Sequence, residues 1–527
     1  MNKPDYFTAG RASDLTDKKD QKLYRALEIL PGFLAWLTII LVITLSFIKP
    51  TWIALFIITF DVYWLIKTIY LVLHLRAAYR KVRQNMRMNW LDKLSQLPVS
   101  DYTLPLLKSW QDLYHLILLP MYKEDLELVS ATMESLAKSN YPMNKMIVVL
   151  ALEQRAGEEF NRDIQKEIAE KYGDSFLRLY FTEHPGNLPG EMAGKGSNIA
   201  WAGEWAKTNV IDKMQLPYER VLVSAFDVDT VVYAEYFSRL THVFLTSPDP
   251  LHASYQPVPF YINNIWEAPS FARVVAFAAT FWHTIRQERY ESATTFSSHS
   301  MPFQALVDIG FWQKNMVSED SRIFWQCFLR YDGHYRIQPI NYPVSMDAAV
   351  ATTFWQTIQN VYKQQRRWGY GVENVPYFLF GFIKGKKISK RLKWFYGFTV
   401  LEGFWSWATN ALMLFLLGWL PVMVGGAKFN ATLLSYNLPN FTRIIMTFSM
   451  VGLVTMAILS IFILPPKPPR FGKFKSLWMF FQWILFPVTT ICLGALPGLE
   501  AQTRLMLGKY MGFWVTPKIR KEKTTQL

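Results

Sequence analysis

Arg220-Val221-Leu222-Val223-Ser224-Ala225-Phe226-Asp227-Val228-Asp229 is the stretch that decides how the middle of this chain folds. A short apolar run of strand composition ends in two carboxylates one residue apart, which places the acids where the backbone leaves a sheet. Upstream lie three comparable runs, Tyr114 to Leu119, Lys145 to Leu152 and Phe176 to Phe181. Between them come stretches of helical period, Leu126 to Ser139, Glu158 to Lys171 and Ser197 to Lys207. Strand and helix in alternation predict an α/β unit with a mainly parallel sheet covered on both faces. In such sheets ligands bind beyond the carboxyl ends of the strands, so the chemistry is expected beside Asp227 and Asp229.

On either side of this unit the character changes. Ile29 to Ile48 and Trp52 to Leu75 each approach the roughly 20 apolar residues that a helix needs to cross hydrocarbon. Only Lys49-Pro50-Thr51 separates them, which predicts a hairpin, and Asp61 and Lys67 interrupt the second run. An acid inside a span is a functional suspect by default, although a polar contact with a neighbouring helix explains it equally well. After the central unit, apolar runs resume at Phe398 to Val424, Ile444 to Leu464 and Leu477 to Leu496. Pro487 and Pro497 suggest that the last is re-entrant or broken, unless the Phe398 region is two pieces. Counted as five spans, they would leave the basic tail Lys518 to Lys523 on the outer side, against the charge rule.

The 527 residues are 51% hydrophobic and 18% charged, with a formal net charge of +15. Arg76, Arg80, Lys81, Arg83 and Arg87, and the basic clusters Lys384 to Lys393 and Lys467 to Lys475, all flank apolar runs. That distribution fits the cytosolic side of a lipid bilayer and leaves no nucleic-acid partner expected. Two distant cysteines, Cys327 and Cys492, exclude a disulfide framework, and a removable signal peptide is not expected.

Chemistry-bearing residues follow one another in order. Two acids on a strand end, Asp227 and Asp229, suit a divalent ion that also neutralises a diphosphate; a solvated turn is the plain alternative. Pro120-Met121-Tyr122-Lys123-Glu124 and Glu153 follow the first two strands of the unit, where a nucleoside would sit. Gly194-Lys195-Gly196-Ser197-Asn198 places a lysine at a helix start, suited to phosphate. Ser318-Glu319-Asp320 opens a further helix. Asp320 is read as a general base and Glu319 as a helix-dipole partner beside the acceptor. Gln364 and Arg367 fall on one helix face for a diphosphate, and Trp368 offers an apolar plane for a sugar, where an interfacial anchor would look alike.

The ordered set PMYKE, Glu153, GKGSN, DVD, SED, QQRRW and the closing FWVTPK resembles the membrane-spanning family 2 glycosyltransferases, the group of cellulose, chitin and hyaluronan synthases, from Leu116 to Lys518. Lys123 stands for an asparagine, Glu153 for an aspartate and Ser318 for a threonine of that pattern. The resemblance implies a GT-A, Rossmann-like catalytic domain in the cytosol, inserted between amino-terminal and carboxy-terminal transmembrane helices. It implies an inverting single displacement with Mg2+ or Mn2+ at Asp229 and Asp227, and Asp320 as catalytic base. The nucleotide-sugar would be held by Tyr122, Glu124, Glu153, Lys195, Asp227, Gln364 and Arg367, and the acceptor by Trp368 and Glu319.

The expected organisation is a cytosolic segment 1–28, two spans within 29–75, a basic linker helix 76–99 and the catalytic domain 100–353. Amphipathic interfacial helices 354–396, about three membrane or re-entrant segments in 397–498 and a basic tail 499–527 complete it. The leading reading is a processive transferase moving a sugar, from a UDP-sugar in preference, to a growing polysaccharide, with export of the polymer an option. Single transfer to a lipid acceptor is the alternative, and a nucleotide-regulated transporter or channel the alternative of another class. Homo-oligomerisation is left open.

Overall fold

The computed structural model describes residues 5–517, so the basic tail Lys518 to Lys523 and the last residue of FWVTPK lie outside the described residues. Eight strands form one sheet in the order β3-β2-β1-β4-β7-β6-β8-β5. They are β1 Tyr114–Pro120, β2 Met146–Glu153, β3 Arg178–His184, β4 Val221–Ala225, β5 Val231–Val232, β6 Ala253–Tyr261, β7 His299–Pro302 and β8 Arg336–Met346. The first four run parallel, as the sequence predicts, with Leu118 opposite Ala225 and Pro120 opposite Ala151. β7 is antiparallel to β4 and β6, β6 is parallel to β8, and β5 is antiparallel to β8. Strand order reverses at β1 and β4, which opens a crevice at their carboxyl ends.

Every residue of β2 and β4 is buried, because the sheet is covered on both faces. Successive side chains point to opposite faces. Ile117, Val148 and Leu150 meet Leu128 and Ile164 of the helices Leu126–Ala137 and Glu158–Tyr172. Leu116, Val149 and Val223 meet Ile199 and Ile323 of the helices Lys195–Ala206 and Glu319–Arg330. Each fully buried side chain of this size contributes about 1.5–3 kcal/mol, so the two layers fix the register and hold the rim of the crevice rigid.

Four helical runs are long and apolar enough to cross a membrane: Lys18–Ile48, Pro50–Met86, Leu433–Ile463 and Lys475–Met506. The second continues unbroken past Leu75 to Met86, so the basic stretch from Arg76 to Met86 prolongs the same helix. Lys390–Phe415 and Leu417–Val424 are bent by 51° and make a fifth if taken as one. The second piece opens with a 3-10 turn, Leu417–Trp419, and Pro421 stands in the first turn of the helix Leu420–Val424 that follows, where a missing N–H costs little. The last run carries a 3-10 turn, Gln482–Leu485, just before Pro487 and a π turn, Ile491–Ala495, after it. The bend between Phe415 and Leu417 matches the reading of the Phe398 region as two pieces, while Lys475–Met506 stays long and apolar enough to cross despite its irregular turns. The stretch from Gly425 to Arg443, between two of the apolar runs, is largely helical: Gly426–Asn430 is a short helix and Leu433–Ile463 takes in Asn440 and Arg443.

Residues before the first span are docked. Phe7, Ala9, Ala12 and Leu15 are buried in the core that holds Ile323 and Tyr377. The Glu28 carboxylate accepts from the Ala12 N–H (3.0 Å) and the Tyr510 hydroxyl (2.8 Å), and Arg25 donates to Glu28 and to the carbonyl of Leu505 (2.9 Å). The start of the first span and the end of the last are thus tied to each other.

Candidate functional site

β4 ends at Ala225 and the Phe226 N–H donates to the Leu118 carbonyl (3.1 Å), so the next three residues leave the sheet at the crevice. The Val228 carbonyl accepts from the Thr132 hydroxyl (2.6 Å), and the Val228 side chain enters the core. Asp227 and Asp229, on either side of it, are left at the rim. Asp229 is 0% exposed. Its Oδ2 accepts from the backbone N–H of Asp347 (2.9 Å), and Asn263 Nδ2 donates both to the Asp229 carbonyl (3.1 Å) and to Asp347 Oδ1 (2.9 Å). The ends of β6 and β8 thereby lock the second acid of the triplet.

Lys195 is the first residue of its helix, and its ammonium bridges two acids from different parts of the chain. Nζ lies 2.6 Å from Asp227 Oδ1 and 2.9 and 2.8 Å from the two oxygens of Asp320. Burial alone would depress this ammonium; Asp227, Asp320 and Glu319 more than offset that and hold it above its ordinary value. Small residues on both sides allow the approach. A Cβ at Gly194 would stand 2.6 Å from the Phe513 ring, and one at Gly196 would stand 3.1 Å from the Glu319 Cβ.

Tyr261, at the end of β6, senses the whole rim. Burial first raises its phenol, the negative charges of Asp227, Asp229 and Asp320 add to the effect, and Arg367 opposes it. Five charged groups from four separate stretches of the sequence, Lys195, Asp227 with Asp229, Asp320 and Arg367, therefore converge on one place. Three carboxylates outnumber the two cations.

Gln364 and Trp368 lie on the helix Phe354–Gly369 and line a small cavity with Tyr261 and Asp347. The Trp368 ring stands 5.8 Å from that of Tyr261 at 40°, so one face of the expected sugar platform is already backed by protein. The Arg367 guanidinium stacks on Phe513 at 5.1 Å, and Lys363 stands over Trp514. The closing motif is thus laid across this helix and against Gly194. Glu319 is 2% exposed and lies behind Gly196, and burial raises its carboxyl well above the usual range, helped by the neighbouring Asp320. That position serves the helix start and offers an acceptor no open face.

A second cluster stands after β1 and β2. The Tyr122 N–H donates to Glu124 Oε2 (2.7 Å), the Arg155 guanidinium lies 4.9 Å from the Tyr122 ring centre, and Arg155 is paired with Glu153. Asn161 Nδ2 donates to the Glu153 carbonyl (3.0 Å). Tyr122, Glu124 and Glu153 are brought together here, along the same rim as Lys195 but with no direct bond to it.

Sequence reasoning missed Asp347, Tyr261, Asn263, Arg155 and His299, whose buried ring lies 4.0 Å from Asp320. Asp347 carried the signal that singled out Asp227: it directly follows an apolar strand, Arg336–Met346. Among the described residues no three His, Cys, Asp or Glu side chains gather as a metal cage. Two strand-end carboxylates still suit Mg2+ or Mn2+, hard ions that take one or two protein carboxylates and complete their shell with phosphate and water.

No family model matches the chain, and no curated protein matches it. Solved structures resemble it loosely. The mannosyltransferase PcManGT from Pyrobaculum calidifontis, in complex with GDP-Man and Mn2+, is 14% identical with a TM-score of 0.38, covering 82% of this chain and 99% of that one. S. aureus TarS 1-349 in complex with UDP-GlcNAc is 10% identical with a TM-score of 0.35, covering 75% and 92%. The same S. aureus fragment in complex with UDP is 11% identical with a TM-score of 0.35, covering 76% and 94%. At TM-scores this low the likeness carries no argument.

Proposed function

We propose that this chain is a membrane-embedded inverting glycosyltransferase that takes a sugar from a nucleotide-diphosphate sugar, a UDP-sugar in preference, and adds it to a growing polysaccharide. The observation that carries the reading is the Lys195 ammonium held between Asp227 and Asp320 at the crevice, with Asp229 and Arg367 beside them. A rim with more carboxylates than cations repels a diphosphate unless another cation accompanies it. Asp227 and Asp229 would hold Mg2+ or Mn2+, which when bound supplies positive charge to the diphosphate leaving group.

The remaining work falls to side chains of this chain. A diphosphate entering the crevice competes with Asp320 for the Lys195 ammonium, and the two Asp320 oxygens are released as it does so. Asp320 then takes the proton of the acceptor hydroxyl as that oxygen attacks the anomeric carbon, while the bond from that carbon to the phosphate oxygen breaks and the electron pair leaves with the nucleotide. Arg367 and Gln364 orient the diphosphate and Trp368 stacks the acceptor sugar. Tyr122, Glu124 and Glu153 receive the nucleoside end.

One observation favours single transfer to a lipid as the second reading. The helix that carries Trp368 begins with Phe354 and Trp355, both exposed, so a surface suited to lipid lies about 21 Å from Trp368 along the same helix. The test is purified full-length enzyme in nanodiscs, given a panel of labelled UDP- and GDP-sugars with and without divalent metal, with product length read by chromatography. Metal-dependent transfer giving long products is expected. Lipid-linked single additions would shift the reading to the second form, and no consumption of any donor would sink both.

A further inference from the structure

The helix that presents Asp320 starts without a cap of its own. Ser318 stands at its N-cap position with φ −112° and ψ 52°, and its side chain caps nothing. Its hydroxyl donates instead to Glu373 Oε1 (2.7 Å), and the same oxygen accepts from the backbone N–H groups of Val317 (3.0 Å) and Ser318 (2.8 Å). The neighbouring Asn374 donates from Nδ2 to the hydroxyls of Ser318 (3.1 Å) and Ser321 (2.9 Å) and accepts from Arg322 Nε at Oδ1 (2.7 Å). Arg322, 0% exposed, donates as well to the carbonyls of Glu373 (3.2 Å) and Ala9 (3.1 Å) and to Gln313 Oε1 (3.0 Å), and stacks on Tyr377 at 3.8 Å.

Glu373 belongs to the turn Tyr370–Glu373 that directly follows the helix carrying Gln364, Arg367 and Trp368. The segment that bears the diphosphate and acceptor residues therefore also grips the entry to the helix that bears the base. A carboxylate kept buried for this purpose is costly unless its hydrogen bonds are all made, and here one oxygen makes three.

We infer that Glu373 is a positioning residue for Asp320: by holding Val317 and Ser318 it sets the base opposite Lys195 and makes the helices Phe354–Gly369 and Glu319–Arg330 move as one body. The inference rests on the transferase reading above. A misplacement of about 1 Å at a reacting group costs on the order of a hundredfold in rate.

The test compares full-length Glu373→Ala and Glu373→Gln with the parent enzyme in nanodiscs. Glu373→Ala is expected to lose about tenfold to a hundredfold in kcat with the donor KM within about twofold. Glu373→Gln keeps an accepting oxygen and is expected to recover most of that rate. Backbone hydrogen exchange at Val317 to Ser321 should rise in Glu373→Ala while Tyr122 to Leu126 stay as protected as in the parent. Unchanged protection at Val317 and Ser318 in Glu373→Ala overturns the inference whether or not any sugar is transferred. So does an undiminished kcat, or an equal loss of donor affinity and rate in both variants. A parent enzyme that transfers nothing, with exchange altered as expected, counts against the transferase reading alone.

Discussion

The two ends of the crevice are built differently. Around Tyr122 most contacts are short in sequence, Tyr122 with Glu124, Arg155 with Glu153 and Asn161 with Glu153, and the Arg155 guanidinium on the Tyr122 ring joins two adjacent strands. Around Lys195 they are long: Lys195 reaches Asp320 across 125 residues and Asp229 reaches Asp347 across 118. A locally built corner keeps its shape when one member changes, because its neighbours are held by adjacent strands. A corner assembled from four separate elements depends on all of them, and charge left unpaired there has no local replacement.

Asp320→Asn tests this contrast most severely. Transfer is expected to fall about 10²–10⁴-fold, the usual share of a general base, while donor binding measured by calorimetry stays within a few-fold. A variant that folds and retains full transfer would remove Asp320 from the chemistry. Lys195→Met comes next: Asp227 and Asp320 are left facing each other, so thermal stability in detergent should drop by about 1–3 kcal/mol and the donor KM should rise at least about tenfold. Equal effects from Lys195→Met and Glu153→Gln would break the contrast between the corners.

Glu153→Gln touches only the local corner. A rise in donor KM of about two- to tenfold with kcat unchanged is expected, in line with about 0.5–1.5 kcal/mol for one polar contact. The smallest effect lies beneath both corners, at His115 on β1. Burial lowers its imidazole to about 3, and its Nε2 lies 2.9 Å from the Thr241 hydroxyl. Folded His115 stays neutral where the unfolded chain, near the ordinary 6.5, takes a proton. Its contribution to stability is therefore complete above about 6.5 and is lost as pH falls toward 3. Melting temperature should decline between pH 7 and pH 5, and His115→Gln should shrink that decline by a few degrees while leaving transfer at pH 7 unchanged.

The local corner was largely legible in the amino-acid sequence, because strand, turn and acid follow one another within a few residues. The triplet Asp227-Val228-Asp229 was legible for the same reason. Asp347 was not, although it too ends an apolar strand: the antiparallel pairing of β8 with the two-residue strand β5, in which Val231 stands opposite Ser345, brings Asp347 opposite Asp229. Periodicity failed for the segment before the first span as well. Phe7 and Ala12 lie in short 3-10 turns and Ala9 and Leu15 directly after them, too few to show a period, and their burial depends on partners more than 300 residues away. The run from Phe398 to Val424 divides at Leu416, where the backbone leaves helical angles and a 3-10 turn, Leu417–Trp419, follows.

The ties of Arg25 and Glu28 to the end of the last helical run bear on how the molecule is made. Arg25 finds its carbonyl acceptor at Leu505, 480 residues later. At elongation rates of about 5–20 residues per second, the first hairpin leaves the ribosome roughly half a minute or more before that partner exists. During that interval Arg25 and Glu28 have each other, the Ala12 N–H and water, so the amino-terminal segment can take its final seat only after Leu505 and Tyr510 have been made.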